Sequence, residues 1–375
     1  MKLFFTAGSF YPAQIGGPDN VMYWQAKALV KRGHAVFVAT TDDGVGDRVP
    51  LNRWINTDYG KAFYAKTAIH YLPLRLFFAS LGPLLRCDIL HLSAIYYPIS
   101  WLLAPVAILL GKKVVWTPHG ELDPDAMIYS TGRKKNVLGF VRLFKKRILF
   151  QSTCDAERGY IRNQLGNDAR IVQLPCFVEV VPTRPQTTPT DYWLFVGRIH
   201  PKKAVERLIK ALPLVIPKKQ LKIVGDYNNE YGREMMALAD KLGCRDQIEF
   251  LGHKRDAEKE QLLANAYCLI MPSHTENFGI VVTEALNQGT PVIASKGTPW
   301  QLLSDRRAGI WASNEVEPLA DALTQMAQLP PETYAEYREN ALRVVDEFDV
   351  ERNIQKWETV YRQYYSGQQP LPYSV

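Results

Sequence analysis

Little in this chain of 375 residues suits a disulfide framework, a membrane span or a disordered tail. Its five cysteines, at positions 87, 154, 176, 244 and 268, form no C-x-x-C pair and are odd in number, which excludes a disulfide scaffold and a cysteine-rich zinc module. They are expected as reduced, mostly buried thiols of a cytosolic protein. No stretch reaches the ~18 uninterrupted apolar residues of a spanning helix. Ile95 to Leu110 comes nearest, but it carries Pro98 and Pro105 and reads as a buried helix of a globular core. The apolar opening Met1 to Phe5 ends at Thr6 with no small-residue cleavage site behind it, so it reads as a first buried strand instead of a signal peptide. Low-complexity tracts are missing too. An apolar fraction of 47% beside a charged fraction of 22% is that of an ordinary soluble protein, and the length suits two domains.

Acid is scarce in the first half. Up to Pro182 there are 22 Lys and Arg against 13 Asp and Glu, a balance of +9, whereas the remainder carries −2. Within that half Arg133, Lys134, Lys135, Arg142, Lys145, Lys146 and Arg147 occur with no acid among them, interleaved with Val137, Leu138, Phe140, Val141, Leu143 and Phe144. As a basic amphipathic helix this segment suits an anionic membrane surface, and an ordinary solvated face is the competing reading. No recognition-module spacing accompanies the charge, so nucleic acid is not an expected partner.

What is present is a repeated strand, loop and helix pattern. The run Lys2 to Ala7, the turn Gly16-Gly17-Pro18, a helical pattern through Val21, Trp24, Ala28 and Leu29, and a strand from His34 to Thr40 make a βαβ unit, which implies a parallel sheet covered by helices. Strands are expected again at 89–92, 114–117, 149–153 and 171–174. Three prolines in the eight positions from Pro182 to Pro189 mark a linker. Beyond it a second series begins, with strands at 192–196, 221–224, 248–251, 268–271 and 291–294 and a helix at 205–212. The expected division is 1–182, a linker at 183–190, and 191–353, with a final aromatic helix from Ile354 through Trp357, Tyr361 and Tyr364 covering one of the sheets, the first domain's being the candidate. The fold class is thus α/β, two doubly wound Rossmann-like sheets facing each other across a ligand cleft at their carboxyl ends.

The chemistry concentrates between Pro272 and Leu286. A strand ends at Met271, a polar loop carries Glu276 and Asn277, and Phe278-Gly279 opens a helix whose free N–H groups favour an anion such as a pyrophosphate. Glu284 follows Glu276 by eight residues, about two helical turns, so two carboxylates stand ready to accept hydrogen bonds from separate diols. Upstream, Gly197-Arg198-Ile199-His200-Pro201-Lys202-Lys203 sets Arg198 and Lys203 five apart, a fork and a point charge for phosphate oxygens. Asp123-Pro124-Asp125 has the spacing of a metal motif but follows the turn Thr117-Pro118-His119-Gly120 and not a nucleotide-binding strand. Gly44-Val45-Gly46 lacks the third glycine of a dinucleotide fingerprint, which leaves hydride transfer without support.

Taken together these segments resemble retaining GT-B glycosyltransferases of family 4, over nearly the whole chain and in the same order. Glu276 to Glu284 looks like the E-x7-E signature, Gly197 to Lys203 like the G-R-x4-K phosphate motif, Gly16-Gly17 like the glycine loop and His119 like the active-site histidine. The resemblance implies that Glu284 holds the ribose, Glu276 the donor sugar near its C3 hydroxyl, Arg198 and Lys203 the diphosphate, and His119 the sugar near C6. It further implies backbone N–H contacts from Asn277, Phe278 and Gly279, close backbone approach at Gly16 and Gly17, and a base near Gly252-His253-Lys254. Two departures stand out. Ala204 replaces a common glycine, which leaves the choice between Lys202 and Lys203 open, and Trp300 stands where many members have Glu. The expected activity is transfer of a hexose, glucose by family frequency, from a UDP-sugar with GDP second, with retention and with no metal or other cofactor. The expected acceptor is a saccharide, lipid-linked at the cytoplasmic face of the cell membrane, in envelope or exopolysaccharide assembly. A nucleotide-sugar epimerase and a non-catalytic nucleotide-sugar-binding protein are the alternatives.

Overall fold

The computed structural model describes residues 1–13, 17–67, 73–124, 131–180 and 191–370. Gly16, Asp125 and the linker 183–190 therefore lie outside the described residues. The chain forms two compact units, Met1–Glu179 with Asp349–Val375, and Val180–Phe348.

The first unit is built on eight strands, β1 (Lys2–Thr6), β2 (Ala35–Thr41), β3 (Trp54–Thr57), β4 (Gly60–Ala65), β5 (Ile89–Ser93), β6 (Lys113–Thr117), β7 (Ile148–Ser152) and β8 (Arg170–Gln173). They lie in the order β3-β4-β2-β1-β5-β6-β7-β8, parallel throughout except for β3 against β4. The helices are α1 (Gly17–Lys31), α2 (Leu74–Arg86), α3 (Pro98–Leu109), α4 (Thr131–Phe144) and α5 (Asp155–Leu165). A strand covered on both faces needs apolar residues at every position, and alternation then decides which layer each one joins. On β1, Leu3 and Phe5 enter the core that includes residues of α1, while Phe4 enters the core formed with α2, α3, α4 and α5.

The second unit has β9 (Tyr192–Val196), β10 (Gln220–Val224), β11 (Ile248–Gly252), β12 (Cys268–Met271), β13 (Val292–Ser295) and β14 (Gly309–Ala312) in the wholly parallel order β11-β10-β9-β12-β13-β14. Its helices are α6 (Val205–Ala211), α7 (Glu230–Lys241), α8 (Asp256–Asn265), α9 (Ile280–Asn287), α10 (Leu302–Asp305), α11 (Val316–Ala327) and α12 (Pro331–Asp346). The chain then returns to the first unit as α13 (Val350–Tyr365), whose buried Ile354, Trp357, Val360, Tyr361 and Tyr364 share the core with α1. The buried hydroxyl of Tyr361 accepts a hydrogen bond from Gln25 Nε2 at 2.7 Å and meets His91 Nδ1 at 2.7 Å. Tyr361→Phe leaves two buried polar groups without their partner, and is expected to lower unfolding free energy by about 2 kcal/mol in a urea titration with an unchanged slope.

The β3–β4 hairpin and β14 are additions to the expected strand series. The five cysteines are free, four of them buried and Cys154 partly so. Helix α3 is covered as expected along most of its length, with Leu109 at its last position and Leu110 after it exposed. One expectation needs correction. The seven cations of the 133–147 segment do not form one free surface. Lys145 is held between Asp168 at 2.5 Å and the Leu165 carbonyl at 2.7 Å, Arg142 donates to the Gln164 carbonyl at 2.7 Å, and Lys134 lies over the Tyr96 ring. Their side chains reach neighbouring elements of the same unit, where backbone carbonyls, a carboxylate and a π face offer partners. Among the described residues no helix is long and apolar enough to cross a membrane.

Candidate functional site

In a doubly wound sheet the loops leaving two strands that run their connections in opposite directions diverge, and a crevice opens between them. In the second unit this switch lies between β9 and β12, because β9 leads on to β10 and β12 leads on to β13 on the opposite side. The loop after β9 carries Arg198 and Lys203, and the loop after β12 carries Ser273, Glu276 and Gly279.

These two loops are tied together. Lys203 Nζ pairs with Glu276 Oε1, which also accepts from Ser273 Oγ at 2.9 Å, and both charged side chains are largely covered. His274 N donates to the Lys202 carbonyl at 2.9 Å and Glu276 N to the Gly297 carbonyl at 3.1 Å. Lys203 and not Lys202 is therefore the lysine that meets Glu276. Its aim follows from a 3-10 turn over Pro201–Lys203 that ends at Ala204 in the left-handed region, with φ of 51°. Glycine adopts that conformation without the Cβ penalty, which explains physically why glycine suits this position. Arg198 is exposed, and among the described residues it makes no hydrogen bond or ion pair.

Gly279 caps α9 with φ of 80°. Trp300 donates through Nε1 to the Phe278 carbonyl, and its ring packs against Phe278 and Phe348 with centroids at 5.1 and 5.3 Å. Trp300 thus fixes the mouth of α9 from behind as an apolar brace. Glu284, on α9, is paired at 2.7 Å with Lys259 of α8, a partner with no motif to announce it. His253 and Lys254 follow β11, two strands along from β9. Lys254 lies 3.6 Å from Glu258, and burial, with Arg255 and Lys259 adding to it, lowers the His253 pKa.

In the first unit the same switch falls between β1 and β5. Gly8, just beyond β1, approaches Tyr97 so closely that a Cβ there would sit 2.7 Å from the ring, and Ser9 Oγ donates to the buried Asp19 at 2.8 Å. Gly17 begins α1. His119, after β6, has φ of 54° and is partly buried with its Nε2 covered, and that desolvation lowers its pKa to about 4. Its Nε2 has no hydrogen-bond partner among the described residues. The turn is held by Glu157, which accepts from Gly120 N at 2.7 Å and from Thr153 N at 2.7 Å. Next to it, Glu121 accepts from Ile95 N at 2.5 Å and Tyr96 N at 3.1 Å.

Burial pushes Glu121 up to about 7, against those amide bonds and Lys134. Between pH 4.5 and 7 the folded protein therefore keeps a proton that the unfolded chain releases, so this group's contribution to stability declines as pH rises through that window. Glu121→Gln cannot ionise, and its melting temperature relative to wild type is expected to rise between pH 4.5 and pH 7.5. A constant difference would contradict the assignment.

Asp123 is buried, and Asp125 is outside the described residues. Among the described residues no group of three or more His, Cys, Asp or Glu side chains stands together as a metal site. Lys259, Glu121 and Glu157 join the candidate set from the structure alone, and Ser273 joins it from within the polar loop that the sequence had singled out.

Residues 15–181 match the model of Glycosyltransferase Family 4, and residues 184–344 that of Glycosyl transferases group 1. A D-inositol 3-phosphate glycosyltransferase of Actinosynnema mirum is 31% identical over 148 residues, 36% of each chain. The chain spans about a third of the length of such curated relatives, 30% to 36% in the first of them. Among solved structures, HepE of Anabaena with UDP and glucose superposes with a TM-score of 0.78 at 19% identity, over 97% of this chain and 100% of that one. Sucrose-phosphate synthase of Thermosynechococcus elongatus gives 0.75 at 20%, over 98% and 99%. These likenesses show the fold, which is GT-B.

Proposed function

We propose that this chain, which belongs to the group 1 glycosyl transferases, moves a hexose from a UDP-sugar to a saccharide acceptor with retention of configuration and without a metal. The observation that carries the reading is the meeting of Lys203 with Glu276 at the switch of the second sheet, beside the unpartnered Arg198. A diphosphate leaving group develops negative charge as the glycosidic bond breaks, and two cations, Lys203 held by Glu276 and the exposed Arg198, would stabilise that charge more than they stabilise the intact donor. Glu276, held by Lys203 and Ser273, has its remaining lone pairs to accept sugar hydroxyls, and the Asn277, Phe278 and Gly279 N–H groups stand at the mouth of α9. The neutral His119 offers a buried nitrogen to a hydroxyl, and the buried Nε2 is costly to leave unmatched, which supports a ligand role. On a front-face path the departing diphosphate itself takes the acceptor proton, so no second carboxylate is required.

Glucose and uridine are favoured by the likeness to HepE, which was solved with UDP and glucose. The acceptor is proposed to be lipid-linked, at the inner face of the cell membrane, in the assembly of an envelope polysaccharide. Incubation of the enzyme with UDP-, GDP- and ADP-glucose and NMR of the product anomer tests the reading. An inverted product removes retention, transfer abolished by chelation and restored by Mn²⁺ removes metal independence, and conversion of donor without acceptor favours an epimerase. Glu284→Ala is expected to raise the donor KM 10- to 100-fold with a smaller change in kcat, the loss of about 1.5–3 kcal/mol from charge-assisted bonds to ribose hydroxyls.

A further inference from the structure

Helices α2, α3 and α4 lie side by side over one face of the first sheet, sharing a core on their inner sides. Each runs antiparallel to the strands, so their C-terminal ends collect at the edge where the strands begin, opposite the loops that carry His119 and Gly17. Lys112 spans two of these ends, donating to the Leu85 and Cys87 carbonyls at 2.8 and 3.0 Å. The outward side of this layer leaves large apolar side chains exposed beside its cations. Phe78 is 64% exposed, Leu85 59%, Leu109 83% and Leu143 76%. Leu74, Phe78 and Leu85 fall on one stripe of α2 by the helical repeat.

Charge on the same layer has one sign. The segments Leu74–Arg86, Pro98–Leu109 and Thr131–Phe144 contain no Asp or Glu. Arg75, Arg86, Lys135 and Arg147 are exposed and make no ion pair among the described residues. Cations in a last helical turn answer the helix dipole, but that does not account for four large apolar side chains left in water beside them.

We propose that the outer face of α2, α3 and α4 seats on an anionic lipid bilayer, with Phe78, Leu85, Leu109 and Leu143 entering the headgroup boundary and the arginines and lysines meeting lipid phosphates. Face-to-face pairing with a second copy would set cation against cation, whereas a bilayer supplies an apolar interior and negative headgroups together. The inference deepens the membrane-bound acceptor reading by naming the surface, and it rests on this face and not on the donor chemistry.

The test is co-sedimentation of the full chain with vesicles of phosphatidylglycerol and phosphatidylcholine, and of phosphatidylcholine alone, without nucleotide. Wild type is expected to bind the anionic vesicles and to bind the neutral ones at least tenfold more weakly. Arg86→Glu with Lys135→Glu and Arg147→Glu is expected to weaken binding ~100-fold, since each cation near the surface is worth about a fivefold change. Leu85→Ser with Leu109→Ser and Leu143→Ser should lose tenfold or more at the same charge, and Lys210→Glu with Lys241→Glu, exposed on the second unit, should change nothing. Retained binding in both triple variants, or none in wild type, overturns the proposal. So does concentration-dependent self-association that the leucine variants abolish while vesicles are ignored, because the face is then a subunit interface. UDP affinity, measured in parallel by thermal shift, is expected to be unchanged in every variant; its loss in wild type would count against the donor reading and leave the surface standing.

Discussion

Lys203→Ala is expected to lower kcat by about 10²–10³, the scale on which removal of one fixed donor to a developing oxyanion acts. It is also expected to destabilise the fold, because Glu276 then keeps a largely covered carboxylate with Ser273 Oγ as its remaining side-chain partner. Breaking such a pair costs up to 3–5 kcal/mol in a fully buried setting, and the partial exposure of both groups brings the expectation down to about 1–3 kcal/mol. The two effects separate in the double variant Lys203→Ala/Glu276→Gln, which has no unpaired charge. Stability should return towards wild type while turnover stays low. Arg198→Ala isolates the catalytic part from the other side: the exposed guanidinium holds nothing in place, so its melting temperature should match wild type while kcat falls by a similar factor. Near-normal turnover in both Arg198→Ala and Lys203→Ala, measured at saturating UDP-glucose, would remove the diphosphate role from this loop.

The sequence was most readable where a buried strand ends abruptly. Tyr192–Val196 before Gly197 and Cys268–Met271 before Pro272 have the expected bounds, because continuous apolar runs stop where the chain must turn over the sheet edge. The β3–β4 hairpin had no comparable signal, since Asp58-Tyr59 between Thr57 and Gly60 is not a glycine turn and Trp54–Thr57 is half exposed at an edge. Charge pairing was least readable. Nothing local tells that Lys203 meets a glutamate 73 residues further on, or that Glu284 faces Lys259, because both pairs are made by the sheet order. The value of Ala204 likewise emerged from its backbone angle, and that of Trp300 from the carbonyl it holds. For α3 apolar content was plain, but which end would be left uncovered depends on what packs against it.

Gly297→Ala should disable the protein more thoroughly than Gly279→Ala or Gly139→Ala. A Cβ at Gly297 would fall 1.9 Å from the His274 carbonyl oxygen and 3.2 Å from that of Ser273, and both atoms are backbone, so no side chain can swing away. The His274–Glu276 segment must move instead, and Glu276 N loses its bond to the Gly297 carbonyl as it does so. Overpacking of this kind typically costs 1–3 kcal/mol, a drop of several degrees in melting temperature for a unit of this size. Activity should suffer more, since a shift of about 1 Å in a group that orients the sugar costs ~10²-fold. Gly279→Ala makes the contrast. Its Cβ would meet the side-chain sulfur of Met271 at 2.9 Å, which can yield, so the cost is mainly the left-handed backbone at φ of 80°, about 1 kcal/mol. Gly139→Ala, with nothing within 4 Å on α4, should stabilise by roughly 0.5–1 kcal/mol and leave kcat untouched. An order of damage other than Gly297, then Gly279, then Gly139, in paired melting and turnover measurements, would show that the backbone path from β13 to the Glu276 loop does not set the position of that carboxylate.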